Sequence, residues 1–219
     1  MLERHITFLR VERPDPAETA AAARIRLADR FPRPALRRMT HLGLLTGAVL
    51  DGIALGADDA VVYATTFAET RALEDFLSSF PAASPLLFQT SIHPSAVQQV
   101  LIGRRQPIRR FWPMTGQRRL VESALLAALL EPAPRVVLVG GEERGSWLLG
   151  QNMASDRPFA FGLLLTADPA GARGRVRFQP DRAAADEPCP TLWSFAESVA
   201  RREAQRWRGA GGEWSLEWS

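Results

Sequence analysis

The 219-residue sequence predicts a layered α/β fold with a mixed, largely parallel central sheet. Three observations lead there. Apolar runs of strand length alternate with stretches of helical period along most of the chain. Two of those runs, DAVVYATT (59–66) and RVVLVGG (135–141), lack the polar–apolar alternation of a half-solvated strand and read as strands buried on both faces. Several of the intervening stretches open with helix-start signals. The length suits one substantial core, and the chain reads as a single domain over 1–219.

The elements follow in order. HITFLRVE (His5–Glu12) is an opening strand. Asp15, Pro16 and Glu18 supply a cap, a proline at the first helical position and a capping-box acid, predicting a helix to about Arg30. A second helix is expected from Ala35 to Ile53, with Leu36, Met39, Leu42, Leu45, Val49 and Ile53 on one stripe. Thr66–Glu69 is a capping-box pattern for a helix to about Phe80. PAASPLLFQTSIHPS reads as a loop, Ala96–Ile102 as a short helix and PIRRFW as a strand. After Gly116, the residues Leu120, Val121, Ala124, Leu125, Ala128 and Leu129 form the apolar face of a helix that EPAP ends. FAFGLLLTAD and GRVRFQ read as a hairpin. The segment 168–219 is expected to hold a proline-rich linker, a helix over TLWSFAESVARREAQRWR and a last strand in EWSLEWS.

All 27 basic residues are arginine, and the net charge is only +3. With no lysine to release protons near pH 10, the isoelectric point overstates how basic the surface is. The arginine pairs are scattered among acids, and no basic run interleaved with aromatics occurs, which argues against a nucleic-acid partner. No window approaches the ~18 consecutive apolar residues of a membrane helix, and the charged N-terminus has no signal-peptide pattern, so the expected location is cytoplasmic.

Chemistry-bearing residues are few. The stretch RRFWPMTGQRR (109–119) is a strand-to-helix turn of the sort at which many enzymes hold a nucleophile, yet Trp112, Pro113, Met114, Thr115 and Gly116 include no Cys or Ser. Arg118 and Arg119 follow, placing cations in a first turn against the helix dipole. They can face solvent, a partner's acids or an anionic carrier. His93, in a neighbouring loop, reads as a structural or interface residue. Cys189 lies between two prolines, where no helix terminus lowers its pKa. Gly140-Gly141 lacks the rest of a dinucleotide loop, and Glu142-Glu143 would repel a pyrophosphate; a close turn packed against the 116–130 helix is the better reading. Ser146 lacks a nucleophile elbow, and His5, His41 and His93 are too scattered for a metal motif, so no metal or cofactor is expected. Trp193, Trp207, Trp214 and Trp218 suit a core or an interface equally.

The stretches LRRMTHLGLLTGAVLDGI, DAVVYATTFAETRALEDFL, SPLLFQTSIHPSAVQQVLIGRRQPI, MTGQRRLVESALLAALL, RVVLVGGEE and FAFGLLLTA follow one another between residues 36 and 167. Their order resembles the N-terminal half of a β-ketoacyl synthase, a thiolase-like fold. It resembles more closely the short, ketosynthase-like chain length factors of aryl polyene biosynthesis. The resemblance places Pro113 where the acyl-accepting cysteine belongs and puts Pro94 where the family loop carries an Asn after Ser91-Ile92-His93. None of the three histidines matches a catalytic histidine of the family, whose pair lies in a C-terminal half beyond this chain's length.

The resemblance therefore implies a scaffold without condensing chemistry. It implies a non-catalytic subunit that pairs with a full-length ketosynthase and helps shape its acyl tunnel, with acyl carrier protein reached through that partner. Trp112, Met114, Thr115, Gly116, Arg118, Arg119 and His93 are the tunnel or interface candidates. Two other readings stay open: an acyltransferase or hydrolase acting on thioesters through His93 or Cys189, and a homodimeric acyl-binding module.

Overall fold

The computed structural model describes residues 1–181, 188–209 and 211–219. Among them an eight-stranded sheet runs through the whole chain. Its strands are β1 (Leu2–Glu12), β2 (Ala60–Thr65), β3 (Arg110–Thr115), β4 (Arg135–Glu142), β5 (Phe159–Thr166), β6 (Gly174–Pro180), β7 (Gln205–Gly209) and β8 (Gly212–Trp218). Their spatial order is β3-β2-β4-β5-β1-β6-β8-β7. The α/β layering and the mixed sheet are as expected, but parallel pairing is less extensive than expected. Only β2 pairs in parallel, with β3 and β4; the other pairings are antiparallel. The cause is β5, which lies between β4 and β1 and runs against both, so β1 to β4 still share one direction. The expected hairpin of β5 with β6 does not form, because β1 occupies the place between them.

The helices are α1 (Ala20–Arg26), α2 (Arg33–Leu36), α3 (His41–Val49), α4 (Thr70–Leu77), α5 (Pro85–Ser91), α6 (Ser95–Gly103), α7 (Leu120–Leu130) and α8 (Leu192–Arg201). On one sheet face α1, α3 and α6 pack with Val61, Tyr63, Val137 and Val139; on the other α7 and α8 pack with Ala60, Val62, Ala64, Val136 and Leu138. This sandwiching explains why β2 and β4 show no alternation. At the far end only one face is covered. Val176, Phe178, Trp207, Trp214 and Leu216 join the α7–α8 core, while Arg175 pairs with Glu217 and Arg177 with Glu3 on the open face. Trp207 stacks on Trp214 at 5.9 Å, and both are buried, so these two tryptophans are core; Trp193 and Trp218 pack at its margin.

Long-range partners override several local signals. Asp15 forms a turn with Ala17 and Glu18, and Thr19 takes the cap of α1, accepting from the Ala22 N–H at 3.2 Å. The helix expected from Ala35 to Ile53 is two, because Thr40 caps a new start, accepting from Gly43, while its own N–H donates to Gln99. Part of the expected loop is α5, capped by Ser84 with Pro85 at its first position. The last expected helix stops at Arg201, where Arg202 turns left-handed (φ +52°), and QRWRG becomes β7 so that Trp207 can meet Trp214. The 168–219 segment thus contributes three strands and a helix, with β7 added to the expected GRVRFQ and EWSLEWS strands; its residues 182–187 lie outside the described set.

Gly140 and Gly141 form no turn; they lie inside β4. A Cβ on Gly140 would meet the Phe161 ring and the Ala64 carbonyl oxygen, and one on Gly141 would fall on the Phe159 carbonyl oxygen. Replacing Gly141 with Ala therefore pushes β4 off β5. Chemical denaturation should register a loss of about 1–3 kcal/mol, the usual cost of overpacking a filled core; an unchanged midpoint would contradict this packing.

Candidate functional site

The sequence-selected turn lies on the outer edge of the sheet. β3 has one hydrogen-bonded neighbour, β2, with Val62, Tyr63, Ala64 and Thr65 opposite Trp112, Pro113, Met114 and Thr115. The Gly116 N–H donates to the Thr65 carbonyl at 3.4 Å, so by strand alternation the even-numbered amides face β2, and Phe111, Pro113 and Thr115 face outward. Pro113 therefore removes no ladder bond. It deletes the middle donor of an otherwise open edge, a common position for proline in a sheet. Gly116 has φ +148°, and Arg119 caps α7 in a left-handed conformation at φ +55°.

Side chains divide between the two faces. Trp112 and Met114 share the face that α7 covers, where Met114, Leu126 and Ala127 pack half-buried on the core and Leu130 is 61% exposed. Trp112 is 49% exposed, yet its indole N–H donates to the Glu131 carboxylate at 2.8 Å, just past the end of α7. Glu131 is buried, and it also lies 3.6 Å from Arg110, so one acid fixes two β3 side chains. Thr115 is exposed, its hydroxyl reaching the Thr66 carbonyl at 3.5 Å. Arg118 is exposed, whereas Arg119 lies 3.7 Å from Glu122 of its own chain.

His93 is not part of this edge. It stacks on Tyr63 at 5.1 Å, on the α3–α6 face, and its Nδ1 lies 3.1 Å from Glu69. Cys189 packs against the opposite core, so the sheet separates the two candidate catalytic groups. Burial, with Glu122 alongside, pushes the Cys189 thiol up to about 11. At pH 8 its thiolate fraction, and so its alkylation by iodoacetamide, should be on the order of a hundredfold below that of a free cysteine; equal rates would show an activated thiol.

A second constellation, which the sequence shows only as a repulsive charge pair, lies at the end of β4. Glu142 and Glu143 are each 2% exposed. Glu143 accepts from the N–H groups of Leu42, in the first turn of α3, and of Arg71 and Ala72, in that of α4, at 3.0–3.2 Å. Glu142 accepts from the Thr65 hydroxyl and the Thr66 and Phe67 N–H groups. Glu69 does not close the expected capping box; its carboxylate takes the Ala96 N–H in the first turn of α6 at 3.0 Å, together with His93. Glu74 accepts from the Ser146 and Leu148 N–H groups. The available signal was two acids directly after an all-apolar strand, since such a position faces the N-termini of the helices that follow parallel strands. Among the described residues no group of His, Cys, Asp and Glu is arranged to hold a metal ion, and no helix is long and apolar enough to cross a membrane.

Burial pushes Glu142 and Glu143 up to about 7 against the pull of their donors. Both carboxyls hold protons in the folded chain at pH values where the unfolded chain has released them. Their contribution is present below about pH 4.5 and is lost as pH rises through about 7. His41, held below its ordinary value by burial, acts the other way as pH falls below 6.5. Two groups outweigh one, so the melting temperature should fall from pH 5.5 to pH 7.5. The slope should shrink in Glu142→Gln by up to ~1.4 kcal/mol per pH unit. A melting temperature that rises over this range would contradict the assignment.

No sequence-family profile matches the chain, and no curated protein is similar to it in sequence. Solved structures are similar in fold. A chain of the complex of the ketosynthase ApeO with its chain length factor ApeC, from Xenorhabdus doucetiae, superposes with a TM-score of 0.68 at 18% identity, covering 99% of this chain and all of that one. The ishigamide ketosynthase/chain length factor gives 0.56 at 16% identity, over 83% of this chain and 68% of that one. The chain thus shares its fold with chains of ketosynthase–chain length factor assemblies.

Proposed function

We propose that this chain is a non-catalytic, ketosynthase-like subunit of the chain length factor kind. It pairs with a full-length ketosynthase and walls part of that enzyme's acyl tunnel during polyene- or fatty-acid-type synthesis. The observation that carries this reading is the β3 edge. It is open and unprotected by charge over Phe111–Met114, it lies beside the half-exposed Leu126–Ala127–Leu130 stripe of α7, and it carries Pro113 where the resemblance expects a nucleophile. The opposite edge, β7, presents Arg206 and Arg208, the usual guard against strand pairing. Fold similarity to chains of two ketosynthase–chain length factor assemblies supports the same reading.

The mechanism is steric. A partner strand laid on β3 finds the carbonyls of Phe111, Pro113 and Thr115 and the N–H groups of Phe111 and Thr115 unused among the described residues. Such pairing would hold Trp112, Met114 and the α7 stripe against the partner. Glu131 keeps the indole in one orientation, so the wall has a defined position. Acyl carrier protein would reach the complex through the ketosynthase. The separation of His93 from Cys189, and the protonated state of the thiol, speak against thioester chemistry by the isolated chain.

Coexpression with a full-length ketosynthase of the same genome should give one copurifying heterodimer. In that complex, Trp112→Ala should lengthen the product and Ala127→Trp should shorten it, by about one or two extension units, since a few methylenes match the volume changed. Separate elution of the two chains, a stable homodimer in their place, or thioester turnover by the isolated chain that His93→Ala abolishes would overturn the reading.

A further inference from the structure

Away from β3, the starts of α1, α3 and α4, together with α5, surround a groove of about 740 Å³. That volume lies within the range of small-molecule sites. Arg24, Arg37, Arg38, Arg71 and Arg144 line it, against three carboxylates. Each carboxylate is already engaged. Glu18 takes Arg26 and His41, Asp75 takes Arg71 at 3.1 Å, and Glu143 takes the helix N–H groups described above. The arginines are less well matched. Arg24 donates to the Met39 carbonyl at 3.0 Å and Arg144 to the Pro16 carbonyl at 3.2 Å, neutral acceptors that leave their charge in place. Arg37 and Arg38 are exposed, and neither makes an ion pair of 4.0 Å or less with another described residue. Four guanidiniums without a carboxylate thus surround one hollow. A further sign of an absent acceptor is the Arg24 Nε, buried with no hydrogen-bond partner.

The groove also carries apolar side chains beside Thr19, Thr40, Thr90 and Ser146: Leu86 is 58% exposed and Leu87 half-buried, while Met39 is buried. A second hollow of about 660 Å³ shares Arg38, Met39, Leu86 and Thr90 with the first, so the groove continues along α5 toward α6. Concentrated positive charge beside an apolar trough selects an anionic amphiphile. Guanidinium forks match phosphate oxygens two at a time, and a phosphate near pH 7 carries more charge than one carboxylate can offer.

We propose that this groove binds a small organophosphate. Its phosphate rests on Arg37 and Arg38, with Arg24 and Arg144 completing the charge, and its apolar remainder lies along Leu86 and Leu87. The site is separate from the β3 edge and does not depend on pairing with a ketosynthase.

Isothermal titration of the full chain with hexyl phosphate, inorganic phosphate and hexanol at low ionic strength tests this. Hexyl phosphate should bind at least about tenfold more tightly than either of the others. The double variant Arg37→Ala/Arg38→Ala, at two exposed positions, should weaken that binding by about tenfold or more, and Arg173→Ala, exposed elsewhere, should leave it unchanged. Absence of hexyl phosphate binding, equal affinity for inorganic phosphate, or equal weakening by Arg173→Ala would overturn the proposal.

Discussion

The carboxylates of Glu142 and Glu143 set the geometry on which the helical layers depend. They stand where β2 and β4 end side by side, at the place where open α/β sheets usually bind ligands beyond the carboxyl ends of their strands. Here the chain fills that place itself. Glu143 ties the starts of α3 and α4 together, and Glu142 holds the 65–67 turn that leads from β2 to α4. Glu69 extends the arrangement to α6 and His93. Burying two carboxyls is costly unless donors surround them, and five backbone N–H groups and one hydroxyl do so. The chain's own carboxylates thus take the helix N-termini at the strand ends, and the arginine-lined groove opens beside Glu143.

With the strand ends filled, the open features of the molecule are at its periphery. The two ends of the sheet are unlike. β7 closes its end with a tight hairpin and outward arginines, while β3 leaves aromatic and apolar side chains beside unused backbone groups. Pro113 sits at the centre of that open edge without breaking the β2 ladder. Under the proposed reading the same residue stands in the place of a nucleophile and narrows the set of strands that can pair there. Trp112 combines exposure with a fixed indole, which suits a wall more than a mobile gate.

How far the sequence revealed this depends on whether local pattern or distant partner decided each element. β2, β4 and α7 were legible because burial on both faces, or a continuous apolar stripe, is written in the residues themselves. The insertion of β5 between β4 and β1 was not, because nothing in FAFGLLLT distinguishes pairing with β6 from pairing with β1. Glu69 shows the same limit within a few residues. Its spacing from Thr66 matches a capping box, but its carboxylate is drawn to Ala96, distant in sequence. QRWRG continued a helical pattern, and only the stacking of Trp207 on Trp214 makes it a strand. In the candidate site, Trp112 to Gly116 were visible as a turn lacking a nucleophile, whereas Glu131 and the Glu142–Glu143 pair were hidden, since acids read as solvated until the packing around them is known.

Hydrogen–deuterium exchange on the chain alone and with the proposed ketosynthase partner most directly tests whether β3 is the pairing edge. Pairing there predicts that the outward amides of Phe111 and Thr115 become strongly protected in the complex while those of β7 exchange as before. Unchanged exchange at Phe111 and Thr115, with new protection at β7 or on the α1–α5 side, would contradict it.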